Sequence, residues 1–395
     1  MTRKVLILGG GFAGVRAALD LSKDENLKIT LINNVGYHCY IPDLYELSTI
    51  KVKKDTQKSF LEVFNTVNIP LREIFKKRNV EVITDLVTAV DLSNQKVSTA
   101  NSGKVSYDFL AIALGSETSY FGIEGAWEFS HPLKTTEDAL NIRDDLEELF
   151  LLAKDEKRKL EIVIAGGGFT GVELAAQIKH KFKGKGKIKI LEAAEFVLGG
   201  MPKWAQQKAL QRLKVLGVEV KLEEKILKVT KSKVVCASKG YPFDYLIWTT
   251  GVKGVSLRNS FKGAELNKKS QLVVTEKLNL SEHPEVFVCG DFAQLEDKKR
   301  KGFVPPAAWA AIGEGKIVAQ NIKKSIKGKN LSTYSPPSSV FVVPLGGDFA
   351  ISNAFKIHWI GFSPWFIKQF IALRYFVSIL PLFKAIGVWW RGVKI

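Results

Sequence analysis

The chain contains one glycine-rich stretch twice. "VLILGGGFAGVRAAL" runs from Val5 to Leu19, and "IVIAGGGFTGVELAA" runs from Ile162 to Ala176. In each copy, glycines at GxGxxG spacing separate an apolar run of strand type from a stretch typical of a helix. A further strand pattern follows each copy, "LKITLIN" after the first and "KIKILEA" after the second. The sequence therefore predicts two βαβ units and an α/β fold with two Rossmann-like dinucleotide-binding domains.

The three glycines of each copy have separate structural tasks. One permits a tight turn, one lets the backbone approach a pyrophosphate, and one lets the helix pack closely on the strand. The helix N-terminus then offers free N–H groups to the phosphate charge. The residues expected to line the two nucleotides are Gly9, Gly11, Phe12, Ala13 and Gly14 in the first copy and Gly166, Gly168, Phe169, Thr170 and Gly171 in the second.

The residue that ends the second strand of each unit indicates which nucleotide binds. Glu192 ends this strand in the second copy, where a carboxylate accepts hydrogen bonds from a ribose 2′-hydroxyl and repels a 2′-phosphate. This favours NADH over NADPH. Asn33 holds the matching place in the first copy and adds no charge. Two nucleotide sites in one chain indicate a hydride donor and a hydride acceptor, NADH and a non-covalent FAD; a second turn that has lost its ligand is the alternative.

Three later strand patterns each end in glycine, as expected where a chain returns across a domain border. They are "YDFLAIALGS", "FDYLIWTTGVKG" and "EVFVCGDFAQL". We therefore expect a nested arrangement, in which an NADH-binding domain (118–252) is inserted into an FAD-binding domain (1–117 and 253–335). Residues 336–395 would form a separate C-terminal region.

Charge and cysteine content narrow the classes of partner and chemistry. The net charge of +18 points to an anionic partner such as nucleic acid, a membrane surface or an anionic ligand. The chain has three cysteines, Cys39, Cys236 and Cys289, and no CxxC pair, which argues against dithiol chemistry and a zinc site. No metal site is expected. The apolar run at the N-terminus is too short for a signal peptide, so we expect the protein on the cytoplasmic side.

The C-terminal residues form two apolar stretches. The first, Trp365–Leu380, lies between two prolines and is shorter than the ~20 residues of a membrane span. The second begins at Leu382, and a helical wheel places Leu382, Ile386, Trp389 and Val393 on one face and Lys384, Arg391 and Lys394 on the other.

This second pattern favours a helix that lies in the surface of an anionic membrane. It explains the positive charge better than nucleic acid does, since the chain has no nucleic-acid-binding module. A helix packed on the body of the protein, or on the second subunit of a homodimer, is the alternative.

The ordered motifs of the chain resemble those of the type II NADH dehydrogenases, which are flavoproteins with two dinucleotide-binding domains. The matching stretches run nearly end to end: "GGGFAGV", "YHCYIPDLYELST", "ALGSETSYFGIEG", "PLKTTEDAL", "GGGFTGVELA", "IWTTGV", "VFVCGDFA" and "VPPAAWAA". The resemblance implies a peripheral enzyme on the cytoplasmic face of the inner membrane. It would oxidise NADH through FAD and reduce a quinone, menaquinone or ubiquinone, without pumping protons.

The resemblance also implies roles for individual residues. Asp291 would bind the ribityl chain of FAD, with Gly115 and Gly290 beside it, and Gly251 would contact NADH. Glu173 would lie where the two cofactors meet and serve proton transfer or quinone chemistry. The alternatives are a loop cap for Asp291 and a helix-dipole contact for Glu173. His38 would line the flavin side or lie buried with its hydrogen bonds satisfied.

The acceptor side departs from the family pattern. Family members commonly carry two glutamines on the helix after the double proline, and Trp309 and Gly313 stand at those positions, with Pro306 and Ala308 before them. A soluble acceptor such as ferredoxin, or a nucleotide-sensing protein without catalysis, is therefore an alternative. Cys39 and Cys289 do not reproduce the cysteine arrangement of sulfide-oxidising relatives, and Leu114 replaces a usual threonine.

Overall fold

A computed structural model describes residues 2–50, 57–182, 186–257, 260–299, 301–337, 340–353 and 357–393. The chain divides into two compact units. The first consists of Met1–Cys39, Asn68–Glu117 and Val252–Ser338, and the second of Tyr40–Val67, Thr118–Gly251 and Ser339–Ile395.

The first unit is built on a five-stranded parallel sheet. Its strands lie in the order Val286–Val288, Phe109–Ile112, Arg3–Leu8, Leu27–Asn33 and Glu81–Thr84. The inner strands are nearly continuous apolar runs, as expected where both faces of a parallel sheet are covered. The helices Phe12–Leu21 and Ala308–Ile326 pack against each other. A hydrophobic core lies between the parallel sheet and a small antiparallel sheet, whose strands are Val87–Asp91, Lys96–Thr99 and Lys104–Ser106.

The second unit repeats this plan with a second five-stranded parallel sheet. Its strands lie in the order His131–Pro132, Tyr245–Trp248, Leu160–Ala165, Gly186–Leu191 and Val218–Lys221. The antiparallel strands Ile226–Thr230, Lys233–Cys236 and Gly240–Pro242 add a separate small sheet. The helices of this part of the unit are Ala126–Phe129, Thr136–Asp155, Phe169–Lys181 and Lys203–Val215.

Short elements complete both units. They are Tyr37–Cys39, Asn68–Pro70, Leu71–Ile74, Ser116–Thr118, Val252–Gly254, Leu272–Val273, Gly290–Phe292, Ala293–Gln294, Glu296–Asp297, Gly302–Phe303, Ile41–Asp43, Leu44–Leu47, Gln57–Val67, Val342–Pro344, Ala350–Ser352 and Trp359–Gly361.

The C-terminal residues group with the second unit rather than forming a region of their own, and residues 40–67 group with them. The helix Phe362–Ile379 packs against the last three strands of the chain. The helix Leu382–Val393 packs against Phe362–Ile379 and against Gln57–Val67. Among the helices of the described ranges, none combines the length and the apolar character needed to cross a bilayer.

Several elements begin earlier than the sequence pattern indicates. The first strand starts at Arg3, and the helix after each glycine turn starts directly after the middle glycine, at Phe12 and at Phe169. The C-terminal helix starts at Phe362 and contains Pro364 in its first turn. A proline is tolerated there because the N–H groups of the first turn have no partner within the helix.

Both glycine turns depend on the same close approach of backbone atoms. Gly9 has φ +104° and Gly166 has φ +106°, a region that favours glycine. A Cβ at Gly14 would overlap the carbonyl oxygen of Gly9, and one at Gly171 would overlap that of Gly166. The last glycine of each motif therefore lets the helix pack directly on the end of the strand.

Gly14→Ala is expected to destabilise the fold, whereas Gly11→Ala is not. The added Cβ at residue 14 meets a backbone oxygen that cannot move aside, so we expect a loss of about 3 kcal/mol in the free energy of unfolding. Gly11 has no heavy atom within 4 Å of a built Cβ, and its substitution should change stability by less than about 1 kcal/mol. Urea denaturation of protein freed of nucleotide compares the two, and equal losses would contradict this account.

Candidate nucleotide-binding sites and a buried lysine cluster

The predicted residues of the first site follow three neighbouring parallel strands. Gly9 follows Arg3–Leu8, and Gly290 and Asp291 follow shortly after Val286–Val288. Gly115 follows the strand between them, has φ +74° and leaves open space where a Cβ would lie. Because the carboxyl ends of parallel strands meet at one edge of the sheet, where nucleotides bind in such folds, these residues form one crevice.

The helix Phe12–Leu21 points its N-terminus at this crevice. Its cap residue, Gly11, has φ −76°, and no side chain caps the first turn. No heavy atom lies within 4 Å of the position of a Cβ at Gly11. Phe12 and Ala13 are buried behind the turn. The space where a side chain would lie at Gly11 is therefore open, and a pyrophosphate placed there would meet uncapped N–H groups.

Asn33 and His38 hold the middle of the first turn. The backbone N–H of Gly10 donates to Asn33 Oδ1 at 2.8 Å. His38 is fully buried, and its Nδ1–H donates to the carbonyl oxygen of Gly10 at 2.9 Å. Burial lowers the pKa of His38 to about 4, against the opposing effect of this hydrogen bond, so the ring is neutral. The structure thus gives His38 the buried role that the sequence left open.

The second site has the same design. The helix Phe169–Lys181 begins after Gly168, which has no side-chain cap and no heavy atom within 4 Å of a built Cβ. Phe169 is 37% exposed and Thr170 is half-buried, so both lie at the accessible end of the helix. Gly251 has φ +79°, and a Cβ there would lie 2.7 Å from the carbonyl oxygen of Ser119.

Glu192 occupies the place that Asn33 has in the first site. Its Oε2 accepts the N–H of Gly167 at 2.6 Å, and its Oε1 accepts the N–H of Ala194 at 2.9 Å. The carboxylate therefore serves the turn itself and also places negative charge at the end of the strand Gly186–Leu191. That charge is where an adenosine ribose lies in folds of this type.

Asp291 lies in a polar network at the first crevice. The hydroxyl of Ser116 donates to Asp291 Oδ2 at 2.7 Å, and Gln271 Nε2 donates to the carbonyl oxygen of Asp291 at 2.8 Å. Beside it is a recess that opens to solvent. Its walls are Gln271, Gly290, Asp291, Ala293, Val304, Pro305, Pro306, Ala307, Ala310, Ala311 and Glu314.

The two positions that carry glutamines in family members, 309 and 313, have an indole and no side chain here. Trp309 and Gly313 lie four residues apart near the start of the helix Ala308–Ile326, hence on one face, and both are half-buried. A Cβ at Gly313 would lie 2.9 Å from the hydroxyl oxygen of Tyr334. A phenol edge therefore occupies the space that a side chain at residue 313 would fill.

A buried lysine cluster, formed by Asp43, Tyr45, Glu46 and Lys368, lies within the second unit. Lys368 is 9% exposed, and its Nζ lies 2.9 Å from Asp43 Oδ1 and 2.7 Å from Glu46 Oε1. Its ammonium also donates to the hydroxyl oxygen of Tyr45 at 2.8 Å. Tyr45 in turn donates to Glu46 Oε1 at 2.6 Å. One cation is thus surrounded by two carboxylates and a phenol away from water.

Glu173 belongs to the electrostatic surroundings of this cluster. It lies on the helix Phe169–Lys181, which packs against Leu44–Leu47. The side chain of Glu173 is half-buried, and its partial withdrawal from water raises the pKa of its carboxyl to about 8, with Lys368 lowering it and Glu46 and Asp43 raising it further. Burial would lower the pKa of Lys368, but the two carboxylates outweigh it and hold that pKa well above its ordinary value. At neutral pH Glu173 is therefore largely protonated and Lys368 is charged.

Sequence reasoning missed the cluster and Glu314. In the sequence, Lys368 is one charged residue within the apolar stretch Trp365–Leu380, and Asp43 and Glu46 are parts of the motif "YHCYIPDLYELST". The available signal was a lysine in a largely apolar helix that has one other charged residue, Arg374, since a buried charge is stable only with partners. Glu314 is 3% exposed, and a glutamate among alanines and glycines gave a similar signal.

Two of the three cysteines, Cys236 and Cys289, lie in surroundings that disfavour the reactive thiolate form. Cys289 is fully buried, and burial raises the pKa of its thiol well above the ordinary value, with Glu314 adding to the shift. Cys236 is also buried, whereas Cys39 is half-buried, and none of these three cysteines, all within the described ranges, forms a disulfide. Cys289 therefore packs as a small buried apolar residue.

Comparison with known proteins places these features among redox flavoproteins. The family model described as "pyridine nucleotide-disulphide oxidoreductase" matches residues 3–315. The type II NADH:quinone oxidoreductase Ndh of Mycobacterium tuberculosis is 29% identical over 420 residues, which cover 98% of this chain and 87% of that protein. A type II NADH:quinone oxidoreductase of Staphylococcus aureus is 27% identical over 401 residues, which cover 94% of each. The resemblance to type II NADH dehydrogenases is confirmed.

Solved structures show the same fold. NDH2 from Plasmodium falciparum in complex with NADH superposes with a TM-score of 0.85 at 18% identity, over 99% of this chain and 97% of that one. The sulfide:quinone oxidoreductase from Aquifex aeolicus superposes with a TM-score of 0.79 at 20% identity, over 95% of this chain and 91% of that one.

Lys368→Met should destabilise the protein more at alkaline than at acid pH. Removal of the cation leaves Asp43 and Glu46 buried without a counter-charge, which typically costs about 3–5 kcal/mol. Burial already raises the pKa of Asp43, and loss of Lys368 removes the charge that opposes this rise. The folded state then binds a proton more tightly than the unfolded state, so stability falls as pH rises. Urea denaturation near pH 5.5 and near pH 8 measures this dependence.

Arg374→Met is the matched control for this variant. Arg374 lies on the same helix but is exposed, so its loss should change the free energy of unfolding by less than about 0.5 kcal/mol at both pH values. A Lys368→Met variant as stable as Arg374→Met near pH 8 would show that the cluster contributes nothing to the fold.

Proposed function

The chain belongs to the pyridine nucleotide-disulphide oxidoreductase family, and we propose that it is an FAD-dependent enzyme that oxidises NADH and reduces a membrane quinone. The presence of two open glycine turns, one with Asn33 and one with Glu192 behind it, is the observation that carries this proposal. The names of the relatives from Mycobacterium tuberculosis and Staphylococcus aureus support the choice of NADH and quinone.

Each unit would hold one nucleotide. FAD would bind in the first unit, with its pyrophosphate at Gly11 and the helix Phe12–Leu21 and its polar chain beside Asp291. NADH would bind in the second unit, with its pyrophosphate at Gly168 and its ribose against Glu192. When bound, the flavin would supply the chemistry of accepting a hydride and passing on electrons. The side chains are therefore needed only for binding, orientation and proton supply.

Glu173 and the lysine cluster are suited to supplying protons for quinone reduction. Reduction of a quinone to a quinol takes up two electrons and two protons, so the site needs a group that carries a proton at neutral pH. Glu173 holds such a proton because partial withdrawal from water raises the pKa of its carboxyl to about 8. Lys368 keeps Asp43 and Glu46 charge-compensated, which limits how far their negative charge raises the pKa of Glu173.

The acceptor-facing surface would be aromatic rather than carboxamide-lined. The side chains at Trp309, Gly313 and Ala308 contain no carboxamide, and the indole of Trp309 suits stacking on the flat ring of a quinone. Because the glutamine side chains are missing, a soluble carrier such as ferredoxin is the alternative acceptor. The apolar C-terminal surface described next favours an acceptor dissolved in a membrane.

We propose that the C-terminal helices hold the protein on the cytoplasmic face of an anionic membrane. Phe362, Phe366 and Phe370 repeat every four residues on one side of the helix Phe362–Ile379 and are 59%, 48% and 57% exposed. The next helix exposes Leu382, Phe383, Ile386 and Trp390. Basic residues accompany this apolar surface at Arg374, Lys384 and Arg391. Exposed aromatic side chains next to basic ones are typical of a helix lying in the bilayer interface.

Anaerobic addition of NADH should bleach the oxidised-flavin absorbance of the purified protein. Gly11→Ala and Gly168→Ala provide matched variants, because both place a methyl group in the open space of a turn without a clash. Gly11→Ala should weaken FAD binding, and Gly168→Ala should weaken NADH binding while FAD stays bound, each by about tenfold or more.

The acceptor follows from assays of NADH oxidation with menaquinone, ubiquinone and a soluble carrier. Turnover with a quinone in liposomes supports the proposal, and turnover with the soluble carrier alone would replace it. A colourless protein that takes up no FAD would refute the enzymatic function altogether.

Replacing Phe366, Phe370 and Phe383 together by serine should abolish flotation with anionic liposomes. Burial of each phenylalanine contributes about 1.5–3 kcal/mol, so the partition coefficient should fall more than about 100-fold. Leu151→Ser, at a residue that is 65% exposed on the helix Thr136–Asp155, is the control and should bind as the unaltered protein does. If the triple variant lost a dimer but still floated with the liposomes, the apolar surface would instead be the contact with a second subunit.

A further inference from the structure

Glu314 lies buried under the Gly290–Asp291 turn. It belongs to the helix Ala308–Ile326 and is 3% exposed. The backbone N–H of Gly290 donates to Glu314 Oε2 at 2.6 Å, at the short end of such bonds. Gly290 has φ +73°, so this contact fixes a residue that has an unusual backbone conformation. Nothing in the mechanism proposed above uses this carboxyl.

The turn that Glu314 holds is part of the first nucleotide crevice. A Cβ at Gly290 would lie 3.5 Å from the Cβ of Ala13, so the turn lies directly against the start of the helix Phe12–Leu21. Glu314, Gly290 and Asp291 all line the recess beside this turn. Two more hydrogen bonds, from Ser116 and Gln271, fix Asp291 from other sides.

A carboxyl is a costly group to keep at this position. Burial raises the pKa of Glu314 to about 8, with the Gly290 N–H lowering it and Asp291 raising it. The neighbouring Cys289 is a buried thiol and brings no positive charge. If packing alone mattered, an apolar residue would fill this site at less expense, since a buried ionisable group loses its hydration. Strongly shifted groups of this kind concentrate at functional sites.

We propose that Glu314 is a positioning residue for FAD, which fixes Gly290 so that Asp291 faces the polar chain of the cofactor. This inference rests on the proposed function, because it needs FAD in the first unit. It predicts that Glu314 acts on FAD affinity through the turn, and not through the general stability of the fold.

The test measures FAD binding to the apoprotein and the stability of the same apoprotein. Glu314→Ala removes the acceptor, and its FAD dissociation constant should rise by about tenfold or more. Glu314→Gln keeps an acceptor for the Gly290 N–H and should stay within about threefold of the unaltered protein. Glu314→Asp keeps the carboxyl but withdraws it by one methylene, so it should lose affinity with a smaller packing defect than alanine.

Asn321→Ala is the matched control on the same helix. Asn321 is fully buried and bonds the carbonyl oxygens of Lys277 and Ser332, away from the turn. Its loss should lower the unfolding midpoint of the apoprotein yet leave FAD affinity within about twofold. In an Asp291→Ala background, Glu314→Ala should have a much smaller effect, since the two residues act through one turn.

Three outcomes separate the explanations. FAD affinity that Glu314→Ala and Glu314→Asp leave unchanged would overturn the inference while the proposed function stands. The inference would also be overturned if Glu314→Ala weakened FAD binding as much in the Asp291→Ala background as in the unaltered protein. An unaltered apoprotein that binds no FAD would overturn both the inference and the proposed function.

Discussion

The contact between the last glycine of each turn and the carbonyl oxygen of the first is the constraint on which both units depend. At Gly14 and Gly171 any side chain would overlap that oxygen, so the helix is held directly on the end of the strand. The N-terminus of the helix is thereby brought to the carboxyl edge of the parallel sheet. Uncapped N–H groups and open space then coincide at Gly11 and Gly168, and that coincidence creates an anion site. The two nucleotide sites follow from backbone geometry before any catalytic side chain is considered.

Ionisable groups withdrawn from water form a second level of organisation, with Glu314 buried and Glu173 half-buried. Glu173 and Glu314 lie in different units, and withdrawal from water raises the pKa of each carboxyl to about 8. Their surroundings differ: Lys368 offsets part of the rise at Glu173, whereas Asp291 adds to it at Glu314. Two glutamates of the same charge state at neutral pH can therefore have different uses, one as a source of protons and one as an anchor for backbone.

The sequence predicted the parts of the molecule that local chemistry determines. The glycine spacing, the apolar strands and the polar residues Asn33 and Glu192 at the strand ends all follow from stretches of about 30 residues. The lysine cluster could not be found in this way, because Lys368 and Glu46 are 322 positions apart and only tertiary packing joins them. The grouping of residues 40–67 with the C-terminal helices was missed for the same reason, since no local pattern reports which sheet a helical segment covers.

The double use of Glu192 has a consequence for attempts to change the coenzyme. A conversion to NADPH requires removal of the negative charge, yet both carboxylate oxygens accept backbone N–H groups, from Gly167 and from Ala194. An alanine there would take the acceptor away from the N–H of Gly167 in the turn and from the more exposed N–H of Ala194, so selectivity and local order would be lost together. Glutamine removes the charge and keeps one acceptor, as Asn33 does for Gly10 in the first turn, although its NH2 group cannot accept from the second backbone donor. It is therefore the substitution through which an altered coenzyme preference could be reached with the loss of one of these two hydrogen bonds rather than of both.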